Sequence, residues 1–207
     1  MLSGSKGTGT GASDPPDPPL RPSIGRPVED LTSRQRRAFA RLERLWSSLG
    51  PFARERAVRE VPGAPEEGTG DVRFLATGRE EVARVAARAA ALGRPFPGGR
   101  VLDFGCGPDR MAQALAEYFD TKVGLDGSDG MVRLARELNR VGDRCQFVGS
   151  AFPDLRLFRD GEFDATFSVY VLQHLPQWLM ARYLREFARV TRPGGSLVFQ
   201  VHGGLTS

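Results

Sequence analysis

The chain has 207 residues, of which 40% are hydrophobic and 26% are charged, and its formal net charge is +4. This length allows one globular domain of about 100 to 200 residues together with a tail. No apolar run approaches the ~18 residues of a membrane-spanning helix, so no membrane association is expected. Cys106 and Cys145 are the only cysteines, too few for a disulfide scaffold or a zinc finger, and both are expected to be reduced thiols.

The beginning of the chain, residues 1–30, is rich in glycine, serine, threonine and proline and has few apolar residues. Such a segment cannot bury enough apolar surface to offset the entropy lost on ordering, so a disordered tail is predicted. The segment also lacks the apolar centre of a secretory signal, which favours a cytoplasmic location.

Residues 31–97 are predicted to form a helical cap region. A first helix, capped by Thr32 or Ser33, is expected to end before Gly50, and a linker at residues 62–70 precedes a second helix. Thr77 is predicted to cap this second helix. The apolar faces are expected to contain Phe39, Leu42, Leu45, Trp46 and Leu49 in the first helix, and Val82, Val85, Ala86, Ala89 and Leu92 in the second.

Arginines crowd the first predicted helix, at Arg34, Arg36, Arg37, Arg41 and Arg44. A nucleic-acid-binding surface usually has aromatic side chains between its basic residues, and few aromatic residues lie among these arginines. A solvated helix face is the better interpretation, so no nucleic-acid partner is expected.

The rest of the chain, residues 98–207, alternates short apolar strands with amphipathic helices. This pattern predicts a Rossmann-like three-layer α/β/α sandwich with a mainly parallel sheet and the strand order 3-2-1-4-5. The predicted strands are Arg100–Phe104, Lys122–Leu125, Arg144–Val148, Phe163–Ser168 and Ser196–His202. The predicted helices are Arg110–Phe119, Asp129–Val141 and Pro176–Thr191.

The stretch VLDFGCGPDRMAQAL is the most informative motif of the chain. An apolar strand ends at Asp103, the chain turns through Gly105 and Gly107, and a helix follows at once. Such glycines let the backbone approach a ligand, and the helix N-terminus offers unpaired N–H groups. Asp126 ends the next strand, where a carboxylate can accept hydrogen bonds from both hydroxyls of a ribose. Together these features predict a site for a nucleotide-like cofactor.

Two cofactor classes fit this arrangement. A dinucleotide fingerprint has a third glycine at its sixth position, where this chain has Arg110, whose side chain would crowd a pyrophosphate. Asp103 would be repelled by two phosphates but attracted to a cationic amino-acid group. An NAD-linked oxidoreductase is therefore disfavoured and remains an alternative.

The same motifs resemble those of the class I S-adenosylmethionine-dependent methyltransferases, in particular those that act on small molecules. The matching pieces are VLDFGCG, VGLDGSDGMVRLAREL, RCQFVGSAFPDL, GEFDATFSVYVLQHL and VTRPGGSLVFQV, in this order. The resemblance implies an enzyme that uses S-adenosylmethionine as cofactor and a small molecule as methyl acceptor. Neither a metal nor covalent catalysis is expected, because no motif for either occurs.

The resemblance also implies the residues of the site. Those implied to bind the cofactor are Asp103, Gly105, Gly107, Asp126, Gly127, Met131, Ser150, Ala151, Phe152 and Ser168. His174 is a candidate base for the acceptor, with a loop-ordering role as the alternative, and Tyr170 is a candidate for shaping the acceptor pocket, with simple packing as the alternative.

Three features depart from the family pattern. Asp109 stands where a third glycine is usual, and Ser150 stands where an acidic or amide residue is usual. The family's sheet commonly has seven strands, whereas five are predicted here, so the last two family strands are lacking. A truncated or non-catalytic methyltransferase-like binding protein is therefore a second alternative, and pairing through the sheet edge would give a homo-oligomer.

Overall fold

A computed structural model describes residues 31–49 and 70–201. The helices are α1 (Ser33–Leu49), α2 (Gly70–Ala91), α3 (Ala112–Leu115), α4 (Asp129–Leu138) and α5 (Gln177–Val190). The strands are β1 (Arg100–Phe104), β2 (Thr121–Asp126), β3 (Cys145–Gly149), β4 (Phe163–Ser168) and β5 (Thr191–Phe199). The predicted tail, nearly all of the predicted linker, and His202 lie outside the described residues.

The described strands form one sheet in the order β3-β2-β1-β4-β5, and each neighbouring pair is parallel. The predicted fold class and strand order are therefore confirmed. The order of the strands reverses between β1 and β4. In an open α/β sheet, ligands bind in the crevice that such a reversal leaves at the carboxyl ends of the strands.

Helices cover both faces of the sheet. On one face Phe104 of β1 packs against Tyr183 and Phe187 of α5, with ring centroids 4.4 and 5.0 Å apart. On the other face α2 and α3 pack against the sheet through a separate buried cluster that includes Val82 and Leu115. The sheet therefore lies between two clusters of buried apolar side chains, one on each of its faces.

The two N-terminal helices confirm one predicted cap and overturn another. At α1 the N–H of Gln35 donates to Thr32 Oγ1 (3.2 Å) and the Thr32 N–H donates back to Gln35 Oε1 (3.0 Å), a capping box. The prediction for Thr77 is wrong, because α2 already begins at Gly70. The Thr77 hydroxyl accepts a hydrogen bond from Arg110 Nη1 (3.3 Å) instead. Such a partner satisfies a hydroxyl that lies inside a helix.

Two apolar positions of these helices are not buried. Leu45 and Leu92 were expected on inner faces, yet they are 54% and 65% exposed. Leu92 lies just beyond the end of α2, where the helical spacing no longer applies. Leu45 lies at the margin of the α1 stripe, and Phe39 and Trp46 make the inward contacts.

Several element boundaries differ from those predicted. The helix expected at Arg110–Phe119 is the single turn α3, and turns at residues 107–111 and 116–118 flank it, with Asp109 at a left-handed φ of 67°. Strand β5 begins at Thr191, whereas the strand is predicted to start at Ser196 and Thr191 is predicted to end the preceding helix. The buried Thr191 hydroxyl is hydrogen-bonded to that of Thr166 on β4 (2.7 Å), and the ladder shifts register over the following Pro-Gly-Gly. The same strand ends at Phe199.

The other boundaries shift by smaller amounts. Strand β2 is one residue longer at each end than predicted, and β3 begins at Cys145 because Arg144 closes a preceding 3₁₀ turn. Helix α4 ends at Leu138, before the predicted end at Val141. None of these shifts moves a candidate site residue to the other end of the sheet.

Candidate cofactor site

The turn after β1 follows a left-handed path at both of its glycines. Gly105 has φ 72° and Gly107 has φ 54°, values that favour glycine. A side chain at Gly105 would collide with Val171 in the loop after β4, whereas one at Gly107 would meet no atom within 4 Å. Gly105 is thus required for packing, and Gly107 leaves open space beside the turn.

Asp126 ties this turn to β2. Its Oδ2 accepts the N–H of Gly107 (2.9 Å) and its Oδ1 accepts the N–H of Ser128 (2.8 Å). Burial raises the pKa of the Asp126 carboxyl group, and these backbone donors only partly offset that effect. Ser128 caps α4 by accepting the N–H of Met131 (3.4 Å). The cap and the carboxylate at the end of β2 are therefore separate residues.

A buried charge cluster lies beneath the same turn. The ammonium of Lys122 on β2 donates a hydrogen bond to Asp109 Oδ1 and lies 3.2 Å from Asp103 Oδ2. Burial alone would lower the pKa of Lys122, but the carboxylates of Asp109 and Asp103 outweigh it and raise that pKa. Sequence reasoning assigns no role to Lys122. The available signal was a charged residue in an otherwise apolar strand.

Cys106 lies within the glycine turn and is buried. Burial raises the pKa of its thiol, as do nearby carboxylates such as Asp126. Burial likewise raises the pKa of Cys145 to about 11. Both cysteines are free thiols, as expected, and their raised pKa values disfavour the thiolate that a nucleophile requires.

The residues implied to contact an adenine come together after β2 and β3. The Ser150 N–H donates to the Asp126 carbonyl (3.0 Å), and the Phe152 N–H donates to Ser150 Oγ (3.4 Å). Phe152 is 39% exposed, and its ring lies 5.0 Å from the guanidinium carbon of Arg156. Ala151 is exposed between them, and Met131 is half-buried near the start of α4.

Helix α1 reaches this side of the site through Trp46. A Cβ at Gly127 would lie 2.8 Å from the Trp46 ring, so the glycine permits the close contact. Helix α2 reaches the other side, where a Cβ at Gly78 would collide with the backbone of Arg110. Both helices therefore border the crevice, and the predicted division of the chain at residue 97 stays a prediction.

The loop after β4 carries the candidate residues for the acceptor. Tyr170 is 50% exposed, has a left-handed φ of 62°, and lies 5.4 Å from the guanidinium carbon of Arg110. His174 is exposed, and its Nε2 lies 3.3 Å from Gln173 Nε2. Ser168 is fully buried, and its Oγ has no hydrogen-bond partner among the described residues. A left-handed tyrosine beside a ligand crevice is the kind of strain found at functional sites.

Several other features bear on the type of site. Among residues 31–49 and 70–201, no cluster of His, Cys, Asp and Glu is arranged to hold a metal ion. No helix in these ranges is long and apolar enough to cross a membrane. A cavity of about 450 Å³ lies at the amino end of β5, lined in part by Asp160, Arg189 and Arg192, away from the glycine turn.

The charges of the crevice suit a ligand that carries a positive group. Asp103, Asp109 and Asp126 supply three carboxylates near one turn, against one buried ammonium. An excess of buried negative charge attracts a cation and repels a pyrophosphate. The exposed Phe152 offers a flat apolar surface on the same side of the sheet.

Comparison with known proteins finds similarity to methyltransferases. Residues 102–199 match the family described as "Methyltransferase domain". Demethylmenaquinone methyltransferase of Clavibacter sepedonicus is 33% identical over 125 residues, which are 60% of this chain and 49% of that protein. The ubiquinone biosynthesis O-methyltransferase of Thiobacillus denitrificans is 32% identical over 106 residues, or 51% of this chain and 45% of that protein. The chain thus spans about half the length of these relatives.

Among solved structures, one similar fold is CalS10 of Micromonospora echinaspora with S-adenosylmethionine bound, described as an amino pentose methyltransferase involved in calicheamicin biosynthesis. Its TM-score is 0.52 at 25% identity, over 60% of this chain and 51% of that chain. The similarity supports the assignment of the sheet and its helices to this fold.

Proposed function

We propose that residues 102–199, which match the family described as "Methyltransferase domain", form a class I S-adenosylmethionine-dependent methyltransferase that transfers a methyl group from S-adenosylmethionine to a small molecule. The observation that carries the proposal is the position of two carboxylates on either side of one glycine turn. Asp103 is the last residue but one of β1, just before the turn, and Asp126 ends β2 and accepts the turn's own N–H.

The residues present fit the cofactor. Asp103 would bind the ammonium of its methionine part, beside Gly105 and Gly107, and Asp126 with Gly127 would hold the ribose. Around the adenine would lie Met131, Ser150, Ala151 and Phe152. Ser168, which the resemblance implies beside the methyl group, is fully buried and offers no exposed surface for that contact. The Asp126 carboxylate has about four lone-pair sites, so the backbone N–H groups of Gly107, Ser128 and Gly127 leave one to which a ribose hydroxyl can donate.

The cofactor supplies an electrophilic methyl group and its own leaving group, so the protein's contribution is mainly to position the acceptor. Holding two reactants in line at near-attack distance can supply about 7 to 11 kcal/mol of the barrier. Tyr170 would form one wall for the acceptor, fixed by the guanidinium of Arg110. His174 is exposed and would take a proton from the acceptor where the chemistry requires it.

An NAD-linked oxidoreductase is the alternative with a different cofactor. Calorimetric titration of the protein with S-adenosylhomocysteine and with NAD separates the two. The methyltransferase proposal predicts saturable binding of S-adenosylhomocysteine and none of NAD. Binding of NAD alone would overturn it.

One observation favours a protein-binding role in addition to catalysis. Strand β5 lies at an edge of the described sheet, and the side chains of Leu197 and Phe199 on this strand, and of Val201 just beyond it, are exposed. An exposed apolar edge strand is a site for pairing with another chain. We propose that a second copy of the chain pairs with β5.

Sedimentation of the protein and of a variant that carries both Leu197→Glu and Phe199→Glu tests this proposal. The variant should be monomeric under conditions in which the parent protein is dimeric.

A further inference from the structure

We propose that Lys122 and Asp109 are positioning residues of the cofactor site. Asp109 holds the buried ammonium of Lys122, so that the neighbouring carboxylate of Asp103 remains able to bind the ammonium group of the cofactor. This inference rests on the proposed function, and it assigns roles to two residues that the family resemblance leaves without one.

The sheet register explains why these side chains meet. Val101 of β1 lies beside Lys122 of β2, and Asp103 lies beside Gly124. Side chains alternate along a strand, so Lys122 and Asp103 project from the same face. The turn after β1 then brings Asp109 over this face. The exposed fractions are 1% for Lys122, 2% for Asp109 and 3% for Asp103, so solvent does not screen the three charges.

The ammonium does not contact the two carboxylates in the same way. Lys122 donates a hydrogen bond to Asp109, whereas its contact with Asp103 Oδ2, at 3.2 Å, is only ionic. Asp103 Oδ2 is buried and receives no hydrogen bond from any group within the described ranges. A buried carboxylate oxygen without a donor is costly, and an arriving ammonium group would satisfy it.

The cluster of Asp103, Asp109 and Lys122 has one carboxylate more than it has ammonium groups. Two carboxylates and one ammonium sum to −1, so one added ammonium brings the cluster to zero. Without Asp109 the cluster would already be neutral, because Lys122 would pair with Asp103 alone. The ligand's ammonium would then compete with that of Lys122 for a single carboxylate.

The backbone at Asp109 permits a clean substitution. Its φ of 67° is unusual for a residue other than glycine, and glycine adopts it without strain. Asp109→Gly therefore removes the carboxylate while keeping the path of the turn. Adding Lys122→Met removes the ammonium as well and returns the cluster to −1, because Asp103 alone remains charged.

The experiment compares two ligands across these variants of the full chain. S-adenosylhomocysteine carries the amino-acid group, whereas 5′-methylthioadenosine has the same adenosine and thioether without it. Calorimetry should show that Asp109→Gly weakens S-adenosylhomocysteine binding by about tenfold or more, the effect of losing a hydrogen bond to a charged group. Binding of 5′-methylthioadenosine should change less than about twofold. The double variant should recover S-adenosylhomocysteine binding to within about threefold of the parent protein.

Two controls keep the test interpretable. Asp143→Gly changes an exposed aspartate in the 3₁₀ turn before β3 and should alter neither affinity. Lys122→Met alone leaves two buried carboxylates without a counter-charge, so it should lower the thermal midpoint, and the double variant should restore part of that loss.

The outcomes distinguish this inference from the proposed function. An unchanged ratio of the two affinities in Asp109→Gly, or equal weakening of both ligands, would overturn the positioning role. A double variant no better than Asp109→Gly would also overturn it, because Lys122 would not be the competitor. A parent protein that binds neither ligand would overturn the proposed function together with this inference.

Discussion

Asp126 combines a structural contact with the proposed binding of a ribose. Its two oxygens accept N–H groups from the glycine turn and from the residue before α4, so it joins two loops at the carboxyl edge of the sheet. The helix cap itself belongs to Ser128. The two functions can therefore be separated by substituting neighbouring residues.

Asp126→Ala is expected to weaken S-adenosylhomocysteine binding about tenfold to a hundredfold, because charge-assisted hydrogen bonds to the ribose are lost. It should also lower the thermal midpoint of the ligand-free protein, since two backbone N–H groups lose their acceptor. Ser128→Ala is the matched control. It should lower stability by about 1 kcal/mol through loss of the cap and leave the affinity nearly unchanged. Equal losses of affinity in the two variants, measured by calorimetry, would contradict a ribose contact at Asp126.

At the scale of elements, side chains of α5 fix the loop that carries Phe152. Arg182 donates to the Pro153 carbonyl (2.9 Å) and to Asp154 Oδ2 (3.1 Å), and the Tyr183 hydroxyl donates to the Phe152 carbonyl (2.9 Å). Arg156 adds two hydrogen bonds to the carboxylate of Asp154 (2.7 and 2.5 Å). The loop of the proposed adenine contacts is thus held by a helix that packs on the core of the sheet.

This contact predicts a dependence of stability on pH. Burial alone would raise the pKa of Asp154, but hydrogen bonds from Arg156 and Arg182 outweigh it and lower that pKa. A lowered pKa means that Asp154 stabilises the fold above its unfolded value of about 3.9 and loses this effect as the pH falls through its folded value. Urea unfolding should therefore show Asp154→Asn less stable than the parent protein at pH 7, with a smaller difference at pH 3. A difference independent of pH would contradict this role.

Because α2 contacts the residues after the glycine turn, a glycine-to-alanine substitution in this helix is expected to lower the stability of the protein instead of raising it. Replacing glycine by alanine inside a helix normally stabilises by about 0.5 to 1 kcal/mol. At Gly78 the added Cβ would collide with the Arg110 backbone, so Gly78→Ala should destabilise the protein and displace α2 from the turn. Ala87→Gly, at an exposed position of α2, should cost only about 1 kcal/mol of propensity. A raised thermal midpoint in Gly78→Ala would show that α2 does not pack closely on this turn.

At the scale of the whole molecule, local patterns account for most of the sheet. The strands Arg100–Phe104 and Phe163–Ser168 are predicted to the residue, because each is a short run with several apolar side chains that follows a segment containing glycine. The strand order follows from the alternation of strands and helices together with the position of the glycine turn. Strand bounds that depend on residues close together in the sequence can therefore be predicted from the sequence alone.

Features that depend on contacts between residues far apart in the sequence could not be predicted. Thr77 looks like a cap, and only the position of Arg110 shows that its hydroxyl has another partner. The start of β5 includes Pro193, Gly194 and Gly195, residues that do not indicate a strand. Only the pairing of this segment with β4 identifies it as one. Lys122 becomes a site residue only once the register of β1 and β2 places it beside Asp103.

We propose that the crevice between β1 and β4 binds S-adenosylmethionine through Asp103 and Asp126. A crystal structure of the full chain with S-adenosylhomocysteine tests it most directly. We expect the ligand at the carboxyl ends of β1, β2 and β4, with its ammonium group hydrogen-bonded to Asp103 and its ribose hydroxyls hydrogen-bonded to Asp126. A ligand bound elsewhere, or one whose ribose and ammonium contact neither carboxylate, would contradict it.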